Sequence, residues 1–307
     1  MAEAASPSPE RRELPPRNEF DEDAYLQLHA DVAVAMAQGR VDSAWQHFTL
    51  HGFAEGRPWI SKRDPLAGLN REIAPGDEMY FGNAEHYFDV GESALRCVES
   101  ALLAVRRRKS AVGSILDLPC GYGRVLRFLR QAFPGAQLTA CDLLRDGVEF
   151  CARQFGAVPV VSRTEPAEVP LSGGYDLIWC GSLLTHLPAA RCAGFLQLFQ
   201  RVLHPDGILV FTLHGRRCEA ELATGRHDFG LAPEQATPLL AEYRRTGFGY
   251  VDYPGQPGYG ISLARPSYVL EHFVQRPEWR LVGYHETAWD RRQDVVCLQK
   301  PVGSGPV

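Results

Sequence analysis

Hydrophobic and polar positions settle into a regular rhythm from residue 93 onward. In SALRCVESALLAV (93–105), Leu95, Val98, Leu102 and Val105 fall on one helical face ahead of the basic stop RRRK. Short apolar runs then alternate with amphipathic segments: ILDL (115–118), a helix from Arg124, LTACD (138–142), a helix over GVEFCARQF (147–155) and PVVS (159–162). YDLIWC (175–180), a helix over AARCAGFLQLFQRVL (189–203) and GILVFTL (207–213) continue the series. Such alternation predicts an α/β domain: a doubly wound sheet with helices on both faces. Two further runs, WRLVGYHETAW (279–289) and QDVVCLQK (293–300), read as a closing hairpin-like pair of strands. Between Arg216 and Arg276 lies a long insertion rich in Gly, Pro and Tyr; following the fifth strand, it belongs at the carboxyl edge of the sheet, where ligands of open α/β sheets bind.

The chain before residue 77 follows another pattern. Residues 1–18 are rich in Pro, Ser, Glu and Arg and bury too little apolar surface to offset ordering entropy, so a disordered tail is expected. Residues 19–60 read as a small all-helical module: a helical turn around Ala24 to Leu28, a helix capped by Asp31 and closed by Gly39, and a second capped by Ser43 and closed by Gly52. A unit of about 40 residues has a marginal core. Its apolar side, with Tyr25, Leu26, Val32, Trp45 and Phe48, is therefore expected to dock on something, a protein partner included. Residues 61–76 read as a linker, 77–300 as the main domain and 301–307 as a flexible C-terminus.

Composition narrows the chemistry. A formal charge of -5 over 307 residues offers no basic surplus for a polyanion, so nucleic acid is a poor partner. The eight cysteines form no C-x-x-C pair and fall mostly in apolar runs, as expected of buried thiols in a reducing cytoplasm. No apolar stretch approaches the ~20 residues of a membrane span, and MAEAASPSPERRELPPR lacks a secretory core, so a cytoplasmic protein is expected. The histidines show no metal-binding spacing, and no metal is expected.

The central motif is Ile115-Leu-Asp-Leu-Pro-Cys-Gly-Tyr-Gly-Arg124: a strand, a glycine turn and then a helix with Val125, Phe128 and Leu129 facing inward. Glycines at 121 and 123 let the backbone approach a ligand beside a helix N-terminus that favours a carboxylate. Asp142 ends the next strand, 19 residues beyond Gly123, close to the spacing of an acid that accepts both hydroxyls of a ribose. Its alternative role is to cap the helix near Arg145.

These residues resemble the class I S-adenosylmethionine-dependent methyltransferases, whose first motif is an acid followed by Gly-x-Gly and whose second is the ribose-binding acid. The resemblance implies a seven-stranded Rossmann-like methyltransferase sheet, with S-adenosylmethionine as cofactor. Asp117, Gly121 and Gly123 would frame the methionine part, Leu118 and Cys120 would lie against the cofactor, Arg124 would neutralise its carboxylate, and Asp142, with Leu143 beside it, would take the ribose. Pro119-Cys120 is a variant that many members share. The stretch from Tyr175 to Leu187 resembles the family's fourth motif, with Gly181 opening the active-site loop, and Arg201 to Thr212 resembles its helix, turn and fifth strand, where Pro205 and Gly207 serve the turn.

Two segments resemble one subgroup of that family. In DEMYFGNAEHYFDVGESAL, Tyr80 or Tyr87 would close over the sulfonium by cation–π contact, with core packing as the alternative. The second is GYGISLARPSYV followed by AWDRRQDVV, where relatives carry His before Gln-Asp and this chain carries Arg292. Residues 20–59 resemble a helical module found beside methyltransferase and glycosyltransferase domains, which implies association rather than chemistry.

The expected reaction is methyl transfer to a small-molecule or carbohydrate acceptor, most simply at oxygen. His186 and His214 are the candidate bases because imidazole titrates near neutral pH, although His186 also reads as a helix-start residue. One alternative is a nicotinamide-dependent oxidoreductase, but the third glycine of G-x-G-x-x-G would fall at Leu126. The other is a non-catalytic adaptor on the same scaffold.

Overall fold

The computed structural model describes residues 14–59 and 68–303. The expectations for the tail before residue 14, for residues 61–67 of the linker and for residues 304–307 lie outside the described residues. Two compact units divide at residue 67.

The first unit is helical: α1 (Glu22–Leu28), α2 (Ala30–Ala37) and α3 (Ala44–His47), the last running into a wider turn over Phe48–Gly52. Phe20, Tyr25, Val32, Ala44 and Phe48 form its buried core. Ser43 caps α3 as expected, its hydroxyl accepting the Gln46 N–H at 3.0 Å. Asp31 does not cap α2: His29 occupies the N-cap, and Asp31 sits in the first turn, where its carboxylate accepts from Arg57 at 2.7 Å. Gly39, at φ +67°, lies just past α2, where left-handed backbone ends a helix without a Cβ penalty.

The second unit opens with α4 (Ala84–Ala104), capped by the Asn83 side chain. A regular alternation follows: β1 (Ser114–Asp117), α5 (Leu126–Ala132), β2 (Gln137–Asp142), α6 (Arg145–Phe155), β3 (Val158–Val161), β4 (Tyr175–Cys180), α7 (Ala189–Val202) and β5 (Leu203–Leu213). The insertion builds α8 (Arg216–Ala223), α9 (Pro233–Thr246), an antiparallel hairpin of β6 (Phe248–Tyr253) and β7 (Gln256–Ala264), and α10 (Pro266–Val269). Strands β8 (Arg280–Trp289) and β9 (Gln293–Gln299) close the chain.

The main sheet has seven strands in the order β3-β2-β1-β4-β5-β9-β8. It is parallel from β3 to β5, with β9 antiparallel to β5 and β8 antiparallel to β9. This is the Rossmann-like sheet that the resemblance implied, hairpin included. The strand order reverses between β1 and β4, so the carboxyl ends of these two strands bound the crevice where such sheets take ligands. One core lies beneath α4, α5 and α6, and the other beneath α7 and the strands' opposite face.

Residues 68–76 pack with this unit. Arg127, only 1% exposed, donates to the carbonyls of Asn70 and Glu72 at 3.0 and 2.9 Å, which satisfies a buried guanidinium and fixes the segment. No helix among the described residues is long and apolar enough to cross a membrane.

Candidate functional site

The glycine turn is shaped by close packing on one side and space on the other. Gly123 has φ +79°, and a Cβ there would stand 2.4 Å from the Phe155 ring; Gly147 of α6 lies so close that its Cβ would meet the Gly121 carbonyl at 2.6 Å. Gly121 also has positive φ, +51°, yet nothing lies within 4 Å of where its Cβ would be. One glycine is required by packing, whereas the other faces room for a ligand. Cys120 is buried beneath the turn, its thiol next to that of Cys151, and Leu118 is buried with its N–H on the Trp179 carbonyl at 3.1 Å. The Leu118–Pro119 peptide is cis.

Two acids flank this turn. Asp142 accepts the Gly121 N–H at 2.8 Å through Oδ2 and the Leu144 N–H at 2.9 Å through Oδ1. It therefore ties the turn to the start of α6, and each oxygen keeps a second lone pair. Burial raises its pKa against these N–H groups. Leu143 beside it is exposed. Asp117 is 1% exposed, and neither of its oxygens has a hydrogen-bond partner among the described residues. Burial pushes its carboxyl well above the usual range, with Asp142 adding to the rise and Arg124 opposing it. An orphaned buried carboxyl is expensive to keep and points to a group that is bound there when the protein works.

Arg124 has no hydrogen-bond or ion-pair partner among the described residues, although it is largely desolvated. Its guanidinium lies 5.9 Å from the Trp289 ring centre and 6.0 Å from that of Tyr87. Tyr87 is 1% exposed and donates to the Asp77 carboxylate at 2.5 Å. Tyr80 stands edge-on to it at 5.8 Å and is partly exposed. Gly181 leaves β4 where a Cβ would meet Trp179 and Trp289 within 3 Å.

Arg124 and Trp289 line a cavity of about 330 Å³, together with His186, His214, Tyr253 and Gln293. The His186 Nδ1 lies 2.8 Å from the Gly260 carbonyl. A carbonyl only accepts, so Nδ1 carries the proton and Nε2 is left as the basic atom. Burial lowers its pKa against that hydrogen bond. His214 is pushed down to about 3, first by burial and then by His186, whose ring centre is 6.1 Å away, and its Nδ1 has no partner among the described residues. Both imidazoles are neutral at physiological pH.

Of the remaining walls the sequence singled out Arg292, as a departure from relatives, but not His227 or Phe229. Ser182, in left-handed backbone at φ +59°, donates its N–H to Thr212 Oγ1 at 2.8 Å and accepts from Gln293 Nε2 at 3.1 Å. Thr212 in turn donates to Gln293 Oε1 at 2.6 Å, so three strand ends share one polar network. Strain of this kind gathers at functional sites. His227 and Phe229 reach the cavity from the insertion. Arg292 lines it too, with its Nε 3.3 Å from the largely buried Glu221 carboxylate. No cluster of ligating side chains that could hold a metal occurs among the described residues.

Residues 115–207 match the family model described as "Methyltransferase domain". A malonyl-[acyl-carrier protein] O-methyltransferase of Bacillus cytotoxicus is 30% identical over 139 residues, 45% of this chain and 48% of that one. A methylthioribose-1-phosphate isomerase of Geobacter metallireducens is 27% identical over 161 residues, 52% of this chain and 44% of that one. The chain thus spans less than half the length of these curated relatives. Among solved structures, an O-methyltransferase family protein from Burkholderia thailandensis superimposes with a TM-score of 0.49 at 13% identity, over 74% of this chain and 62% of that one, too loose a likeness to bear on chemistry. Leu126, where a dinucleotide fingerprint needs a small residue, is fully buried in the core instead. Residues 115–207 are thus similar to a methyltransferase domain, and the strand order and the glycine turn are those that the resemblance implied.

Proposed function

We propose that the protein transfers a methyl group from S-adenosylmethionine to a small-molecule or carbohydrate hydroxyl held in the cavity beside Arg124 and His186. The observation that carries this reading is the buried Asp117 carboxyl, without a hydrogen-bond partner among the described residues, next to a glycine turn with open space at Gly121 among them. When bound, the cofactor supplies an electrophilic methyl group whose positive charge vanishes on transfer. Asp117 answers the ammonium end of the cofactor's methionine and Arg124 its carboxylate. The second lone pairs of Asp142 accept from the ribose. The backbone of Leu118, Cys120, Gly121 and Gly123 lies against the cofactor, Leu143 and Gly181 border it, and Tyr80 closes from the segment before the domain.

Catalysis on this reading is mainly positioning in a dry pocket. His186 Nε2 takes the acceptor's proton, and His214 keeps the neighbouring wall neutral, so the base is not repelled on accepting charge. A malonyl group carried on a protein, as in the name of the malonyl-[acyl-carrier protein] O-methyltransferases, is a second reading of the acceptor, favoured only by that likeness. The N-terminal helices are proposed as a docking module, and the cytoplasm as the site of action, from the absence of a spanning helix among the described residues.

The test is turnover with isotopically labelled methyl donor on a panel of sugars, phenols and carboxylic acids, scored by label in the product. Transfer to a hydroxyl, with His186→Ala slowed at least about 100-fold, supports the reading. Cofactor binding with no transfer to any compound would instead favour an adaptor built on the same scaffold.

A further inference from the structure

The hairpin of β6 and β7 carries two tyrosines, Tyr253 and Tyr259, whose ring centres lie 5.7 Å apart and which both meet the His186 ring. Tyr253 is a wall of the acceptor cavity. Tyr259 is not; its ring stacks on His186 with centres 5.0 Å apart and planes at 26°, and burial raises its hydroxyl's pKa, with the charges of Asp142 and Glu78 adding to the rise. The residue is 42% exposed, with the imidazole stacked on its ring and the Tyr253 ring tilted beside it.

The hairpin is not free to carry that ring elsewhere. The Gly260 carbonyl accepts from His186 Nδ1, and the next anchor is Arg191, which donates to the Gly258 carbonyl at 2.8 Å and reaches Glu165 at 3.1 Å. Asp252 accepts the Gly258 N–H at 2.8 Å. A Cβ at Gly260 would stand 1.8 Å from the Val251 carbonyl, so the two strands close here only because that residue is glycine. An aromatic plane is thereby pinned against the proposed base, and the reacting sulfur of the cofactor must lie only an acceptor atom and a methyl group beyond that base if its assignment holds.

We propose that Tyr259 is a cofactor-binding residue whose ring face recognises the positive charge of the sulfonium, and so favours S-adenosylmethionine over its neutral demethylated product. This rests on the function proposed above. A ring beside a cation gains from the quadrupole, whereas a ring beside a neutral thioether gains only contact area. Such discrimination also serves turnover, because the contact weakens as the methyl group leaves and product release becomes easier.

Calorimetry on the full chain measures the dissociation constants of S-adenosylmethionine and S-adenosylhomocysteine for the wild type, Tyr259→Phe, Tyr259→Leu and Tyr259→Ala. The wild type decides the underlying function: no binding of either compound removes the proposed activity, and this residue's role with it. Given binding, Tyr259→Leu and Tyr259→Ala are expected to weaken the sulfonium compound by about tenfold and the thioether by less than twofold, while Tyr259→Phe keeps both. Equal weakening of the two compounds, no weakening, or a Phe variant as impaired as the Ala variant overturns the assignment without touching the proposed function. The Leu variant retains apolar bulk against His186, so a folding defect confined to Ala leaves the comparison intact.

Discussion

Asp117→Asn separates the cost of the site from its use. The wild-type carboxyl is buried without a hydrogen-bond partner among the described residues, and its pKa is raised by burial, then by Asp142. A folded-state value above the unfolded one means that the native chain holds this proton where the unfolded chain, at about 3.9, has released it. The resulting stability is complete below the unfolded value and is lost as pH rises through the raised folded one. Asn keeps the shape and cannot ionise. An unsatisfied buried group costs about 1–3 kcal/mol and a charged one more, but the amide is itself left unsatisfied, so a net gain of about 1–2 kcal/mol is expected at pH 8. For a unit of this size that is about 2–8 °C in Tm. At pH 5 the gain should shrink, because the wild-type carboxyl is then closer to full protonation. Affinity for S-adenosylmethionine should fall at least about tenfold, since a neutral amide no longer answers an ammonium group. Thermal melts between pH 5 and 8, with calorimetry at pH 8, make the comparison. A variant less stable at every pH, with unchanged affinity, would refute the reasoning.

Three other outcomes follow from the same geometry. Gly121→Ala places a methyl group in open space at φ +51°, so it should fold with a loss of about 1–2 kcal/mol yet bind the cofactor poorly; Gly123→Ala, which collides with Phe155, should lose much more stability, and denaturant titration distinguishes the two. His186 has its pKa lowered by burial, so rates for a hydroxyl acceptor should stay level down to about pH 6.5 and decline only below it, whereas a decline beginning above pH 7 would exclude it as the base. In the helical module, Ser43→Ala removes the bond to the Gln46 N–H and should cost about 1 kcal/mol, read from the chain's far-ultraviolet melt below 60 °C.

Much of this was legible in the sequence for a physical reason. Period-2 and period-3.6 patterns are local, and so are the demands of a glycine turn; β1, the turn and β2 with Asp142 could therefore be placed from spacing alone. What escaped were relations set by distant contacts. Nothing local says that Asp117 lacks a partner, or that Gly260, 74 residues from His186, fixes its tautomer. Arg127 looks like a solvated helix residue until the carbonyls of Asn70 and Glu72 close over it. The insertion hid its own order: α9 carries an internal Pro238, and the β6–β7 pair is crowded with glycines that blur strand periodicity. Tyr87 read equally well as core or as ligand contact, and only the fold shows that it is 1% exposed and bonded to Asp77. At Asp31 the sequence suggested a cap two residues too late, and the carboxylate pairs with the distant Arg57 instead.

The account depends most on whether the turn between β1 and α5 holds the methyl donor. Titrating well-folded protein with S-adenosylmethionine in a calorimeter, alongside Asp142→Ala, tests this with no acceptor needed. One site per chain with a micromolar dissociation constant, weakened at least about tenfold in the variant, is the predicted result. No heat of binding for the wild type, or equal affinity in the two proteins, would contradict it.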